Sequence, residues 1–308
     1  MQCLHADPDI DLGVLVSGMH LEPRFGMTVA EVEADGLPIR ERLQTMSPGD
    51  SPHDVAVSLA AGVTAFAGLF AADRPDILVV LGDRFEMYAA ALAALPFAIP
   101  VAHIHGGELT AGAFDDALRH SLTKLSHIHF AATKVYAHRI RQLGEEPWRV
   151  CISGAPGLDN LKHLRTLSVS DLEARLGISL EPAPLLVTFH PTTLQYNDVE
   201  RQISNLLAAI ADAGTPAVFT NPNADTGNHV ISQAINAYCA ARTDAVRVDN
   251  LGTEVYFNLM RHAAAMVGNS SSGLIETPSF ALPVVNIGIR QEGRVRAKKR
   301  DRHRLRTK

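Results

Sequence analysis

The segment of residues 101–124, VAHIHGGELTAGAFDDALRHSLTK, holds the densest group of chemically active side chains in this chain. It contains the strand-like run VAHIH, so its polar residues come just after a strand's carboxyl end, where open α/β sheets bind ligands. His105, Glu108 and Asp115 can exchange protons near neutral pH, and the Gly106-Gly107 pair permits positive φ and close backbone approach to a ligand. The alternative is a solvated strand-to-helix loop in which Asp115 caps the helix. Taken alone, the segment fits either interpretation.

Other loops that follow strand-like runs carry further candidates. Asp83 and Arg84, in GDRFE, come after ILVVL, and Asp83 is either a helix cap or a group of the cleft. His190, in FHPTT, comes after LLVT and is either a loop hydrogen-bonding residue or a general acid. Arg290 and Arg294 follow VVNIGI and suit bidentate contacts to phosphate, or lie in a surface turn.

The segment GNSSSGLIE is the second strong element of the sequence. A strand ends in Ser270, Ser271, Ser272 and Gly273, and a helix is predicted to begin there. Free backbone N–H groups and the positive end of a helix dipole favour phosphate, and three hydroxyls exceed what one N-cap needs. We predict that Glu276, one turn inside this helix, binds the two hydroxyls of a ribose. The sequence contains no P-loop and no GxGxxG fingerprint.

Strand-like runs alternate with amphipathic helical patterns, which is typical of parallel, doubly wound sheets. One series extends from LGVLVSG to RVCISGAP and another from LLVTFHPTT to PVVNIGIRQ. The polar segment between them, LKHLRTLSVSDLEARLGISLEPAP, is interpreted as a connector with one helix. The chain is therefore predicted to be α/β, with two Rossmann-like domains at residues 1–162 and 163–296 and a disordered basic tail at 297–308.

Composition narrows the function classes. Of 28 basic and 33 acidic residues, the last fifteen hold nine and one, so the rest is strongly acidic and does not favour nucleic acid or an anionic membrane. We expect no apolar run to approach the length of a membrane span. The three cysteines form no CxxC pair, which suits a reducing cytoplasm, and the spacing of the 14 histidines does not predict a metal site.

Six motifs together identify a family. GDRFE, HIHGGELTAGAFDDALRHSLTKLSH, GAPGLDNL, FHPTT, GNSSSGLIE and NIGIRQEGR resemble, in order and spacing, those of the hydrolysing UDP-N-acetylglucosamine 2-epimerases, over roughly residues 9–296. The resemblance implies a GT-B-like fold with its active site in the interdomain cleft. It also implies a cytoplasmic enzyme of sialic-type (nonulosonic) acid biosynthesis that needs no cofactor or metal. UDP leaves as the C2 proton is removed, and water adds to the 2-acetamidoglucal to give N-acetylmannosamine.

The resemblance also implies roles for individual residues. Asp83, Asp115 and His190 match catalytic positions of the family. Many members read HIEGGE where this chain has HIHGGE, and the His form resembles a subgroup that includes legionaminic-acid-type epimerases. The base is therefore His105 or Glu108, and we hypothesise His105. The implied UDP contacts are Arg84, Ser270, Ser271, Ser272, Gly273, Glu276, Arg290 and Arg294.

The two ends depart from the family pattern. We expect a late start, without the family's first strand, and an out-of-frame basic end rather than a nucleic-acid arm. Loss of a central strand would leave two strands unpaired. Two alternatives stay open: a GT-B glycosyltransferase that needs an acceptor, and an inactive remnant that binds a UDP-sugar. The expected partners are a UDP-sugar and, if the chain is intact, further copies of itself, but no nucleic acid or membrane.

Overall fold

The computed structural model describes residues 1–297, and its strands are short, apolar and parallel. Ten of the strands coincide with the predicted apolar runs, whereas β2 was missed because its sequence, IRERL, is largely polar and exposed. Residues 298–308, most of the predicted basic tail, lie outside the described residues. The strands are β1 Val14–Ser17, β2 Ile39–Leu43, β3 Leu78–Leu81, β4 Val101–Ile104, β5 Ile128–Ala131, β6 Val150–Ile152, β7 Leu185–Thr188, β8 Ala217–Thr220, β9 Ala245–Val248, β10 Ala265–Gly268 and β11 Val284–Asn286.

The strands form three parallel sheets, which gives the predicted α/β class. The N-terminal half contains the pair β1-β2 and a four-stranded sheet of order β3-β4-β5-β6. Within the described residues, β1, β2, β3 and β6 each pair on one side only. Val79 and Leu81, on β3, are about half exposed, although both are strongly apolar.

The C-terminal half has one continuous sheet of order β11-β10-β7-β8-β9. The chain runs outward from β7 in one direction and then, through β10, in the other, so β7 and β10 flank the topological switch point. Thr188 and Gly268 end these two strands and are register partners. Loops that leave the carboxyl ends of the strands at such a point form the usual ligand crevice of a doubly wound sheet.

Helices connect the strands and cover the sheets. α11 has only four residues, because Pro278 and a left-handed Ala281 end the helix predicted over GLIETPSFAL. The helices are α1 Gln2–His5, α2 Val29–Ala34, α3 Pro52–Ala72, α4 Phe85–Ala94, α5 Asp115–Leu125, α6 Lys134–Gln142, α7 Val169–Leu176, α8 Val199–Ala213, α9 Asn228–Ala240, α10 Gly252–His262 and α11 Ser272–Ile275.

Helix α3 corrects the expectation about apolar runs. Between Asp54 and Asp73 it carries no charged residue, and its mean hydropathy of 2.0 and its 21 residues are sufficient for a membrane span by length and composition. The prediction that no run approaches that length was wrong. One such helix is weak evidence of a membrane, since core helices have the same composition. Phe66 and Phe70 of α3 are buried against the alanine-rich face of α4.

The segment between the two series is more than a connector. Leu167, Leu172 and Leu176 are buried in one apolar cluster with Leu186 of β7 and Met266 of β10. Its helix, α7, begins with a capping box at Ser168. Because its leucines are buried in this cluster, the segment forms part of the hydrophobic core of the C-terminal half.

Candidate functional site

The loops after β7 and β10 are joined directly at the switch point. Asn269 accepts from the backbone N–H of His190 at 2.7 Å, and its own amide donates to the carbonyl of His190 at 2.8 Å. The backbone of Asn269 also donates to Thr188 at 3.1 Å. These bonds fix one side of the cleft, here called the C-terminal wall: residues 189–193, 221–225 and 269–276.

Gly268 makes this close approach possible. Its φ is +143°, and a Cβ on it would collide with the carbonyl oxygen of Thr188. Only glycine has neither the conformational penalty nor the clash. The small residue at the end of β10 therefore sets the distance between the two loops.

The serines of the C-terminal wall differ in what they can bind. Ser270 lines the cavity, whereas the Ser272 hydroxyl accepts a 2.7 Å hydrogen bond from Tyr256. Ser271 is the N-cap of α11 without a side-chain cap bond, and Gly273 packs towards Val284. We predicted that the positive end of a helix dipole favours phosphate here. Because α11 has only four residues, its dipole is small, so a phosphate would depend on hydrogen bonds from individual backbone N–H groups.

Glu276 lies directly after α11, and not one turn inside a helix as predicted. It lines the cavity, one of its carboxylate oxygens has no partner among the described residues, and burial raises the pKa of this carboxyl. The burial of Tyr256 beside it raises the pKa of that phenol to about 12. Both groups therefore line the cavity with hydrogen-bonding capacity.

His190 is held as a neutral imidazole. Its Nδ1 accepts from the backbone N–H of Asn223 at 3.1 Å, so in the neutral ring the proton lies on Nε2. Burial, with the charges of Arg290 and Arg84, lowers the pKa of His190 well below its ordinary value. The ring is thus a hydrogen-bond donor to the cleft at neutral pH.

The opposite side of the cleft, the N-terminal wall, comprises residues 82–86 and 105–119. Arg119, on α5, pairs with Asp83 and donates to the carbonyl of His105 at 2.8 Å. Thr110 donates to the same Asp83 oxygen at 3.1 Å. Burial acts to raise the pKa of Asp83, but the guanidinium groups of Arg119, Arg294 and Arg290 outweigh it, so this pKa lies below its usual value. Asp83 is not the cap of α4, whose N-cap is Arg84.

Asp115 is a buried carboxyl with little compensation from its neighbours. It is 1 % exposed, one of its oxygens has no partner among the described residues, and Arg84 lies 3.9 Å from the other. Arg84 instead pairs with Asp225, which is fully buried in the C-terminal wall. Burial and the charge of Asp225 raise the pKa of Asp115 to about 7. The helix-cap alternative is wrong, because Phe114 is the N-cap of α5.

His105 and Glu108 form a direct pair. The His105 Nδ1 lies 2.7 Å from one Glu108 oxygen, and Arg294 lies 2.9 Å from the other. His105 itself has a φ of +65°, which was predicted for Gly106. Gly107 has positive φ as predicted, but it approaches the Tyr136 carbonyl of α6 and not a ligand.

Both halves enclose one large cavity. It has a volume of about 840 Å³ and is lined by Met19 and Phe25 from the N-terminal half and by Thr188, His190, Ser270 and Glu276 from the other. This volume lies within the range of small-molecule sites. Of the predicted site residues, His190, Ser270 and Glu276 line this cavity, whereas the charged residues of the N-terminal wall are not among its lining residues.

Several residues of the site were missed by the sequence analysis. Asp225 and Arg119 were given no role in the sequence analysis. Gln291 was also missed; its amide donates to the Asn269 carbonyl at 2.8 Å, beside the predicted and buried Arg290, which contacts the same atom at 3.4 Å. No local sequence motif connects these residues with the site; they are recognised as part of it only because the fold brings them close together.

Two parallel α/β halves and a switch-point crevice define a GT-B-like fold, and carboxylates, hydroxyls and a histidine line the cavity between the halves. The family model for UDP-N-acetylglucosamine 2-epimerase matches residues 2–301. The chain belongs to the UDP-N-acetylglucosamine 2-epimerase family.

Individual relatives agree with this assignment. The GDP/UDP-N,N'-diacetylbacillosamine 2-epimerase (hydrolyzing) of Campylobacter jejuni is 38% identical over 292 residues, covering 94% of this chain and 76% of the relative. The UDP-N,N'-diacetylbacillosamine 2-epimerase (hydrolyzing) of Legionella pneumophila is 35% identical, covering 96% and 78%. The UDP-GlcNAc 2-epimerase of Neisseria meningitidis bound to UDP-GlcNAc superposes with a TM-score of 0.75 at 19% identity, covering 92% and 77%, which supports the fold.

Proposed function

We propose that this protein is a hydrolysing 2-epimerase for a UDP-linked 2-acetamido sugar. The observation that carries the proposal is the pair of proton-transfer groups on one wall, His105 held by Glu108 and Asp115 with a pKa of about 7, opposite neutral donors on the other. Groups that titrate near the working pH exchange protons most effectively. The family of the chain and the named activities of its relatives support the same reaction.

In the proposed first step, a base on the N-terminal wall takes the C2 proton as the C1–O bond breaks. The electron pair of the C2–H bond becomes the C1–C2 double bond of 2-acetamidoglucal, and UDP departs with the pair of the C1–O bond. His105 is the proposed base, and Asp115 the group that exchanges a proton with the sugar on addition of water. Asp83, ionised beside Arg119, anchors a sugar hydroxyl.

In the second step, water adds across the double bond, with its hydroxyl at C1 and a proton at C2 on the opposite face. The products are UDP and the C2 epimer. His190 is proposed to donate from Nε2 to the departing diphosphate, and Ser270 and Glu276 to bind phosphate and ribose oxygens. Arg84, Ser271, Ser272, Gly273 and Arg290 support this binding region in the proposal.

A turnover experiment in heavy water identifies the substrate and tests the proposed reaction. The chain is incubated with UDP-N-acetylglucosamine and, separately, with UDP-N,N'-diacetylbacillosamine in D₂O, and products are followed by NMR. We expect equal amounts of UDP and free epimerised sugar with deuterium at C2 from one of them. Release of UDP only when an acceptor sugar is added would instead support a glycosyltransferase. A folded chain that binds UDP but releases nothing from either sugar would be the inactive remnant.

We also propose a cytoplasmic homo-oligomer that uses no metal or nucleic acid. Helix α3 supports self-association, because Ala56, Val57, Ala60 and Ala61 form an exposed apolar face, whereas its buried residues are Ser58, Gly62, Phe66 and Phe70. Light scattering of the wild type and of Val57→Glu tests this proposal. We expect the wild type to be larger than a monomer and the variant to dissociate; a monomeric wild type overturns the proposal.

A further inference from the structure

His105 is held in an uncommon conformation. Its φ of +65° places a residue with a Cβ in the left-handed region, which costs about 1–2 kcal/mol. Two contacts retain it there: Arg119 donates to its carbonyl at 2.8 Å, and its Nδ1 lies 2.7 Å from Glu108. Strained residues persist where the surroundings over-determine them, and they concentrate at functional sites.

Glu108 has no oxygen left for a substrate. Oε1 accepts from His105 and Oε2 pairs with Arg294 at 2.9 Å, and the residue is 2 % exposed. Burial acts to raise its pKa, but the hydrogen bond from His105 and the charge of Arg294 outweigh burial, so this pKa lies below its usual value. An ionised carboxylate with both oxygens occupied does not take a further proton readily.

Arg294 ties this pair to the other half of the molecule. Its Nε donates to the carbonyl of Leu109 at 2.5 Å and its Nη2 to Thr110 at 3.1 Å, while Gly293 packs against Leu109. The segment after β11 therefore crosses the cleft and clamps the loop that carries His105 and Glu108. Among the described residues, the partners of the Arg294 guanidinium are therefore Leu109, Thr110 and Glu108.

We propose that Glu108 is a positioning residue for His105, with Arg294 as its anchor, and is not itself the base; this inference rests on the proposed function. The carboxylate accepts only if Nδ1 carries the proton, so it selects the Nδ1–H tautomer and leaves a lone pair on Nε2. No hydrogen bond involves Nε2 among residues 1–297, and the side chain is 15% exposed, so Nε2 can meet a substrate proton.

A double-variant cycle tests the inference on the full chain. His105→Asn is chosen because asparagine tolerates the left-handed region, and Glu108→Gln preserves shape. We expect Glu108→Gln to lower kcat about 10–100-fold with KM within about threefold. In the His105→Asn background, the same substitution is expected to change kcat less than about threefold, because residues that act as a unit are not additive. Full multiplication of the two effects, or a larger loss in Glu108→Gln than in His105→Asn, overturns the proposal.

A matched control comes from a second His–Glu pair in the same half. Glu145 accepts from the buried His129 at 3.2 Å and also pairs with Lys124, outside the cleft. Glu145→Gln therefore removes the same charge from the same type of pair. We expect its kcat to stay within about threefold of wild type, although its thermal stability falls. An equal kcat loss in Glu145→Gln and Glu108→Gln would show a structural effect and overturn the inference.

Histidine ¹⁵N NMR separates failure of this inference from failure of the proposed function, because it needs no turnover. The His105 ring signals are assigned by their absence in His105→Asn. At pH 8 we expect wild-type His105 to carry its proton on Nδ1, and Glu108→Gln to populate both tautomers. Wild-type protonation on Nε2 would overturn the positioning role even if the enzyme is active. An inactive protein with the Nδ1–H tautomer would overturn only the epimerase proposal.

Discussion

The two walls of the cleft differ in the charge of their polar groups. In the N-terminal wall, charged groups are held in ion pairs: Asp83 pairs with the buried Arg119, and the buried Glu108 pairs with Arg294. In the C-terminal wall, His190 is neutral and Glu276 has a raised pKa, and backbone groups and hydroxyls predominate. Fixed charges stabilise charge that develops in a transition state, whereas neutral donors bind an anion similarly throughout a reaction. We infer that the first wall governs kcat and the second governs KM.

The largest expected effect is that of Asp115→Asn on the N-terminal wall. Asparagine resembles the protonated carboxyl but cannot exchange its proton, so kcat should fall by about 10²–10⁴-fold. The affinity for UDP, measured by calorimetry, should change less than threefold because the residue faces the chemistry and not the nucleotide.

Asp116→Asn is the matched control for this prediction. Asp116 is adjacent, and its Oδ1 accepts from the backbone N–H of Thr110 at 2.7 Å, a bond that asparagine retains. We expect kcat within about threefold of wild type. If Asp115→Asn weakens UDP binding and leaves kcat intact, the division of labour between the walls is wrong.

Gly268→Ala should be the most damaging change on the C-terminal wall. The new methyl group meets the Thr188 carbonyl at a φ of +143°, and we expect a loss of about 2–5 kcal/mol in the free energy of unfolding. Urea denaturation measures it. Gly177→Ala, at a φ of +70° in open space at the end of α7, should lose only about 1 kcal/mol. Equal losses would mean that the close approach of β7 and β10 does not hold this wall together.

Glu276→Gln tests whether the C-terminal wall governs KM, and its expected effect is smaller than that of Gly268→Ala. The carboxyl is partly desolvated and one oxygen is unpartnered among residues 1–297, so it can accept from ligand hydroxyls. Loss of this carboxyl acceptor should raise KM about tenfold, and kcat should stay within about threefold. Steady-state kinetics with the sugar nucleotide measures both. A fall in kcat at constant KM would place Glu276 with the groups of the N-terminal wall.

The sequence predicted the scaffold better than the site. Ten strands were found because apolar runs bounded by polar loops are a local signal, whereas α3 was missed because its charge-free sequence has little periodicity. The pairing of Arg84 with Asp225 joins positions 141 residues apart, and nothing local to NPNAD marks that aspartate. The left-handed His105 was equally hidden, since two glycines beside it were the obvious candidates for positive φ.

The smallest expected effect is a dependence of stability on pH that belongs to the N-terminal wall. The folded-state pKa of Asp115 is raised to about 7, above its value near 4 in an unfolded chain. Its stabilising contribution is therefore fully present below pH 4 and is lost as the pH rises through 7. Asp115→Asn has no proton to lose. The free energy of unfolding of the variant minus that of wild type should grow by about 1–2 kcal/mol from pH 6 to pH 8.

Urea denaturation at pH 5, 6, 7 and 8 measures this difference, and Asp116→Asn again serves as the control. A difference that stays constant with pH would mean that Arg84, 3.9 Å away, compensates the Asp115 charge more fully than its pairing with Asp225 allows. A difference that grows only for Asp115→Asn would identify Asp115 as a carboxyl whose charge its neighbours do not compensate. Together with His105, the proposed base, Asp115 is then available to exchange a proton at neutral pH, whereas Asp83 and Glu108 are held ionised by their guanidinium partners.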